Sequence, residues 1–250
     1  MRLAHLRLPS LTHYAHASAI QQHLVSLLLA SKAAQSGQHP SHTQSSPPDP
    51  LILTAQFHPV YTTGRRELGT LTPWRIAHLR SNGAQTAEFH EALRGGQTTY
   101  HGPGQLVAYP IIDLLRHGLR ARDYVHLLEE TVVKTCARYG VKGFRTENPG
   151  VWVSEERKIC AVGVHLRRNV TSHGVGLNVG MEPMGWFERI TACGLEGKEA
   201  TCLEREGDGL EGLSVEEVGR VFVEEFVGEL GGVEEVYGLT EGDLGLRAEG

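Results

Sequence analysis

The chain has no apolar run approaching the ~18 residues that a membrane-spanning helix needs, so a soluble protein without a membrane partner is expected. Its four cysteines, Cys136, Cys160, Cys193 and Cys202, lack the paired spacing of a zinc site, and no secretory signal precedes them. Free thiols in a reducing compartment and no bound metal follow. Basic residues do not alternate with aromatic ones, so nucleic acid is not an expected partner. Acidic residues are scarce for most of the chain: residues 203–250 hold 14 acidic and 3 basic residues against a net charge of −5 for all 250, which leaves residues 1–202 at about +6. A basic body of this kind steers an acidic protein partner.

What is present converges on Arg94 to Leu106, Arg-Gly-Gly-Gln-Thr-Thr-Tyr-His-Gly-Pro-Gly-Gln-Leu. Four glycines and a proline in so short a run oppose a helix and predict a shaped loop. Leu106 to Leu114 follows as a strand that anchors it. The glycines read equally as ordinary turn residues, but Gln97, Thr98, Thr99, Tyr100 and His101 set donors and acceptors among them, which suits a polar head group or carbonyl. The run has no Gly-Lys-Ser/Thr ending and is not a dinucleotide fingerprint.

In chain order, Leu3–Leu8 reads as a strand, and a helix follows with Ile20, Leu24, Leu27 and Leu28 on one face. Residues 31–50 are polar and proline-rich and predict a mobile surface insertion. Leu51–Phe57 resumes a strand, and 74–92 predicts a short helix or turn region before a strand that leads to Arg94. Asp123–Tyr139 predicts a helix capped by Asp123 and closed by Gly140, with Tyr124, Leu128, Val132, Cys136 and Tyr139 on one face. Cys136 should therefore be an inert, packed thiol. Val151–Val153, Lys158–Leu166 and Thr171–Val179, separated by charged or Gly/Asn turns, predict a β-meander. Ser214–Leu230 predicts a tail helix with a Ser214/Glu217 capping box and an apolar face of Val218, Phe222 and Phe226. Helices and strands without regular βαβ alternation give an α+β fold class, a mixed or antiparallel central sheet with flanking helices.

Four stretches carry a resemblance. Arg94 to Leu106, His58-Pro59-Val60-Tyr61-Thr62-Thr63-Gly64-Arg65-Arg66, Arg157-Lys158-Ile159-Cys160-Ala161-Val162-Gly163 and Phe187 to Leu195 together resemble the lipoyl(octanoyl) transferases, across roughly residues 50–205. The resemblance implies the fold shared by biotin and lipoate protein ligases. It implies transfer of an octanoyl or lipoyl group from acyl carrier protein to a lysine of lipoyl domains, in the E2 subunits of oxoacid dehydrogenases and the glycine cleavage H protein, by a monomer without a cofactor. In it Cys193 is the acyl-accepting catalytic cysteine and Lys158 the catalytic lysine facing it. Arg94, Gly95, Gly96, Gln97, Thr98, Thr99, Tyr100, His101, Ala161, Val162, Gly163, Gly174, Val175 and Gly176 form the substrate site, the small ones leaving room for a hydrocarbon tail. Departures are Ala192 where proline is usual, Thr201-Cys202 where Thr-Ser is usual, and a glycine where alanine is commoner within Gly174-Val175-Gly176.

The resemblance also orders the remaining readings. Residues 1–205 are expected to be one catalytic domain and 206–250 an acidic extension whose helix packs on the body. The start of the chain, free of acidic residues, is compatible with a mitochondrial presequence, but relatives in the resembled family begin with a similar strand and helix, so folded domain is expected. The compartment implied is mitochondrial in a eukaryote and cytoplasmic otherwise. Alternatives are an ATP-dependent lipoate or biotin ligase, against which the missing Gly-Arg-Gly-Arg type loop counts, and a non-catalytic module that binds lipoyl domains or acyl carriers.

Overall fold

A computed structural model describes residues 1–35, 47–190 and 197–245; Cys193 and most of the expected insertion lie outside the described residues. β1 (Arg2–Thr12) leads into α1 (Tyr14–Gln35), followed by β2 (Leu51–Phe57) and β3 (Val60–Thr63). Next come α2 (Pro73–Arg80), the hairpin β4 (Ser81–Asn82) and β5 (Gln85–Thr86), and β6 (Glu88–Glu91). The glycine-rich stretch is not loop throughout, for it contributes β7 (Thr99–His101) and opens β8 (Gln105–Ile111). α3 (Ala121–Arg138), β9 (Phe144–Arg145), β10 (Val151–Trp152), β11 (Arg157–Arg167) and β12 (Val170–Asn178) follow. The chain then forms α4 (Met184–Phe187), β13 (Glu199–Ala200), α5 (Leu203–Glu206), α6 (Val215–Leu230) and β14 (Glu235–Leu239).

The main sheet runs in the order β14-β1-β2-β8-β12-β11-β10-β9, with β13 paired to β11. β14, β1 and β2 are parallel, and from β2 through β8, β12, β11 and β10 to β9 each pair is antiparallel. This is the mixed sheet the sequence predicts. A second sheet, β6-β3-β7, stands beside it. The β11–β12 turn needs only Arg168 and Asn169, both left-handed at φ 50° and 64°, as a two-residue hairpin loop matched to strand twist requires.

Helices cover the two faces unequally. α3 and α6 bury Tyr124, Leu128, Val132, Cys136, Phe222 and Phe226 against Leu106, Ile159, Cys160, Val175 and Leu177 of the sheet. α3 begins at Ala121 rather than Asp123, because the Asp123 carboxylate accepts the Arg120 N–H (3.3 Å) from the third helical position. On the other face α1 packs Tyr14, Ile20, Leu24 and Leu28 on Leu6, Leu53, Val107 and Tyr109. Leu27, expected on that face, is 44% exposed. α1 continues to Gln35, into the stretch expected as an insertion, and the acidic tail supplies β14 as well as α6. α1 reaches β12, where Gln21 Oε1 accepts the His173 N–H (2.6 Å). The glycine-rich loop instead meets β11 on that face, with the Gly95 N–H donating to the Val164 carbonyl (2.9 Å).

Candidate active site

A cavity of about 360 Å³ lies between that loop and strands β11 and β12, within the ~300–1,000 Å³ range of small-molecule sites. Arg94 builds its roof. Buried at 8% exposure, its guanidinium donates to the Thr62 carbonyl (2.7 Å) and hydroxyl (2.9 Å) and to the carbonyls of Gly95 (3.0 Å) and Gln97 (2.9 Å). One side chain thus ties the loop to β3 and to itself. Thr98 is held by the Glu67 carboxylate through both its N–H and its hydroxyl, and Thr99 pairs with Thr62 across β3 and β7. Gly64 has no freedom here: a Cβ on it would fall 2.0 Å from the Gly96 carbonyl oxygen.

Thirteen of the fourteen expected substrate-binding residues border this cavity, from Arg94 to Thr99, His101, Ala161 to Gly163, and Gly174 to Gly176. Val162 and Val175 do so while their side chains pack in the helix-side core. Tyr100 stands apart. Its ring stacks on Trp186 at 5.3 Å and meets Tyr61 edge-on, in a cluster below the second sheet. The glycines are not simply empty space, since a Cβ on Gly163 would lie 3.1 Å from Arg94 Cδ and one on Gly176 3.1 Å from Gln105 Oε1 and 3.3 Å from His101 Cε1. They let the roof and the histidine approach the sheet.

Lys158 reaches the cavity through an irregularity in its strand. Val151 pairs with Cys160 but Trp152 with Lys158, so β11 carries one extra residue at Ile159. A bulge of this kind re-aims side chains, and here Ile159 and Cys160 both enter the helix-side core while Lys158 lines the cavity at 7% exposure. Its Nζ donates to the Pro149 carbonyl (2.7 Å) and sits 5.3 Å from the centre of the Trp152 ring. Ile190 and Ala200, the described lining residues on either side of Cys193 in sequence, also border the cavity.

The three described cysteines are poor nucleophiles. Burial pushes Cys136 up to about 12 and Cys160 well above its ordinary value, and raises Cys202 as well. All three are buried.

Histidines give the cavity a neutral polar wall. Burial first, and then the Arg94 guanidinium, lower His101 to about 4 and His173 to about 3. A directed chain of hydrogen bonds fixes the tautomer of His101. Asn178 Nδ2 donates to the Thr201 carbonyl (2.9 Å), so its Oδ1 accepts from Gln105 Nε2 (2.8 Å), and Gln105 Oε1 accepts from His101 Nδ1–H (2.6 Å). His101 Nε2 is therefore a lone-pair acceptor. The chain ends beside the catalytic candidate, since the Thr201 N–H donates to the Lys158 carbonyl (2.9 Å). Sequence reasoning passed over His173, Tyr109, Gln105 and Asn178. The one signal for His173 is its place before alternating glycines, and the backbone there is left-handed (φ 56°) within β12, a conformation that costs about 1–2 kcal/mol for a residue with a Cβ.

An α+β sheet with a loop-roofed cavity and a buried lysine defines the class first: the fold is that of lipoate protein ligases. A lipoate-protein ligase A solved with ATP is similar over 98% of this chain and 91% of its own, with a TM-score of 0.62 at 14% identity. The chain belongs to the lipoyl protein ligase A/B catalytic domain family, which matches residues 32–227. It is 44% identical over 209 residues to a probable octanoyltransferase of Schizosaccharomyces pombe, covering 83% of this chain and 88% of that one. It is 42% identical over 164 residues to a mitochondrial octanoyl-(acyl-carrier-protein):protein N-octanoyltransferase of Danio rerio, covering 66% and 70%.

Proposed function

We propose that this protein is an octanoyltransferase that moves an octanoyl or lipoyl group from acyl carrier protein to a lysine of a lipoyl domain, through a thioester on Cys193. The names of its relatives support the reaction class. The observation that carries the assignment is the cavity itself, which buried Lys158 lines together with Ile190 and Ala200, residues that flank Cys193 in sequence.

In the first half-reaction the Cys193 thiolate attacks the thioester carbonyl of the donor. The new C–S bond forms as the old one breaks, and the pantetheine sulfur leaves with a proton delivered by Lys158. In the second, the acceptor lysine attacks the enzyme thioester as a free amine, Lys158 takes its proton, and the Cys193 sulfur departs as the amide forms. A neighbouring cation lowers a cysteine from ~8.5 into the range ~3.5–7.5, and general acid–base help of this kind contributes ~10²–10⁴-fold. Arg94 holds the roof, Gly95, Gly96 and Gln97 with Thr98 and Thr99 close it, and Ala161, Gly163, Gly174 and Gly176 line its floor. His101 Nε2 offers an acceptor to a donor N–H of the substrate. Each methylene of the acyl tail buried there contributes about 0.8 kcal/mol. The acceptors are the E2 subunits of oxoacid dehydrogenases and the H protein of glycine cleavage, the protein acts as a monomer, and the compartment is the mitochondrion in a eukaryote, as for the Danio rerio relative, and the cytoplasm otherwise.

The test is ATP-free transfer. Octanoyl carrier protein and a lipoyl domain, mixed with this protein, should give an octanoylated acceptor lysine. A requirement for ATP with free octanoate would assign a ligase instead.

A further inference from the structure

We propose that Glu129 is a positioning residue for Lys158, acting through the Pro149–Gly150 peptide; this rests on the transferase reading above. Glu129 belongs to α3 and is only 4% exposed, yet the two half-reactions leave it without a role. A carboxylate is rarely buried to this extent without a partner. Its Oε1 accepts the Gly150 N–H at 2.9 Å, the one hydrogen bond that the Glu129 side chain makes among the described residues.

That N–H shares a peptide group with the Pro149 carbonyl, which accepts from Lys158 Nζ at 2.7 Å. In a trans peptide the N–H and the C=O point to opposite sides. A single planar unit is therefore gripped by a carboxylate at one end and an ammonium at the other. The carboxylate fixes the rotation of the plane, and so the direction in which the carbonyl presents itself to Lys158. A charged acceptor also makes the stronger bond and polarises the next one in the chain.

Gly150 completes the device. Its φ is 127°, and a Cβ there would fall 2.3 Å from Lys158 Cε, 2.8 Å from Nζ and 2.6 Å from the Cys160 carbonyl oxygen. The lysine stem runs against this peptide with no space for a side chain between them. Burial does most to raise the Cys160 thiol, and of the two ends of the arrangement Lys158 lowers it and Glu129 raises it.

Few other ionisable groups surround the lysine among the described residues. Cys160 on β11 and Cys136 on α3 are both held as neutral thiols by burial. Arg157 and Glu206 pair with one another at 2.7 Å on the flank toward Thr201. Glu206 reaches only the Lys158 backbone, through Thr201, whereas Glu129 is joined to Lys158 Nζ through a single peptide group.

The experiment compares wild type with Glu129→Gln, Glu129→Ala and Lys158→Ala. Glutamine keeps an acceptor oxygen and removes the charge. Losing a buried negative charge close to the catalytic groups disfavours protonated forms, so both limbs of the kcat/KM pH profile should move to lower pH by roughly 0.5–1 unit. Glu129→Ala, which frees the peptide, should lower kcat about 10- to 100-fold with KM for the octanoyl carrier unchanged. A pH profile identical to wild type in Glu129→Gln overturns the proposal, as does a loss in Glu129→Ala that merely follows the folded fraction. If Glu129→Ala does not fold, the Glu129→Gln profile decides alone. A readout independent of transfer is the Gly150 amide proton resonance, which should move upfield in Glu129→Gln and also in Lys158→Ala; no response to Lys158→Ala breaks the linkage. Absence of octanoyl transfer by wild type would instead overturn the transferase reading, with the Gly150 resonance still judging the linkage.

Discussion

The two faces of the β11–β12 hairpin are built from the same strands and serve opposite ends. Toward α3 and α6 they present Ile159, Cys160, Val175 and Leu177, all buried in one apolar cluster. Toward the loop they present Ala161, Gly163, Gly174 and Gly176, which border the cavity. Alternation along a strand sends successive side chains to opposite faces, so large and small residues in turn give a packed face and a stripped one. The packed face holds the fold, and the stripped one lets Arg94 and His101 come within van der Waals distance of the sheet.

Substitutions can separate the two roles. The largest effect on stability belongs to the packed face, where Phe222→Ala removes a fully buried ring. It should cost about 3–5 kcal/mol in denaturant unfolding, with turnover per folded molecule unchanged. Gly176→Ala, on the other face, should reverse that pattern. Its methyl must push Gln105 and His101 aside by a few tenths of an ångström, so transfer should fall about tenfold or more while the melting temperature moves little. A smaller and graded effect comes from acid. His101 and His173 have folded values near 4 and 3, lowered from 6.5, so the unfolded chain binds protons first as pH falls. Stability should be fully present above pH 6.5 and decline through the interval down to about pH 3. His173→Asn, which tolerates the left-handed backbone, should reduce the decline in thermal unfolding measured across that range.

Periodicity made much of this architecture readable. The four-residue stripe of α3 and the capped apolar face of α6 are local patterns, and the lack of βαβ alternation excluded a doubly wound sheet. The glycine-rich run announced a binding loop because so few structures need that composition. Other features depend on distant partners. β14 is half exposed and has a glycine within it, yet it pairs with β1 at the opposite end of the chain. Tyr100 sits among polar loop residues in sequence, but its ring finds Trp186. The bulge at Ile159 leaves no trace in a run of apolar residues that reads as regular strand, though it decides on which side Lys158 emerges. Glu129 reads as an ordinary helix charge until Gly150, 21 residues further on, folds back onto it.

The account turns on where the acyl group rests between donor and acceptor. Mixing the protein with octanoyl carrier protein, without ATP and without a lipoyl domain, and weighing the intact chain should reveal one octanoyl group per molecule, released by hydroxylamine and absent from Cys193→Ala. An octanoyl group that persists on Cys193→Ala would contradict the account.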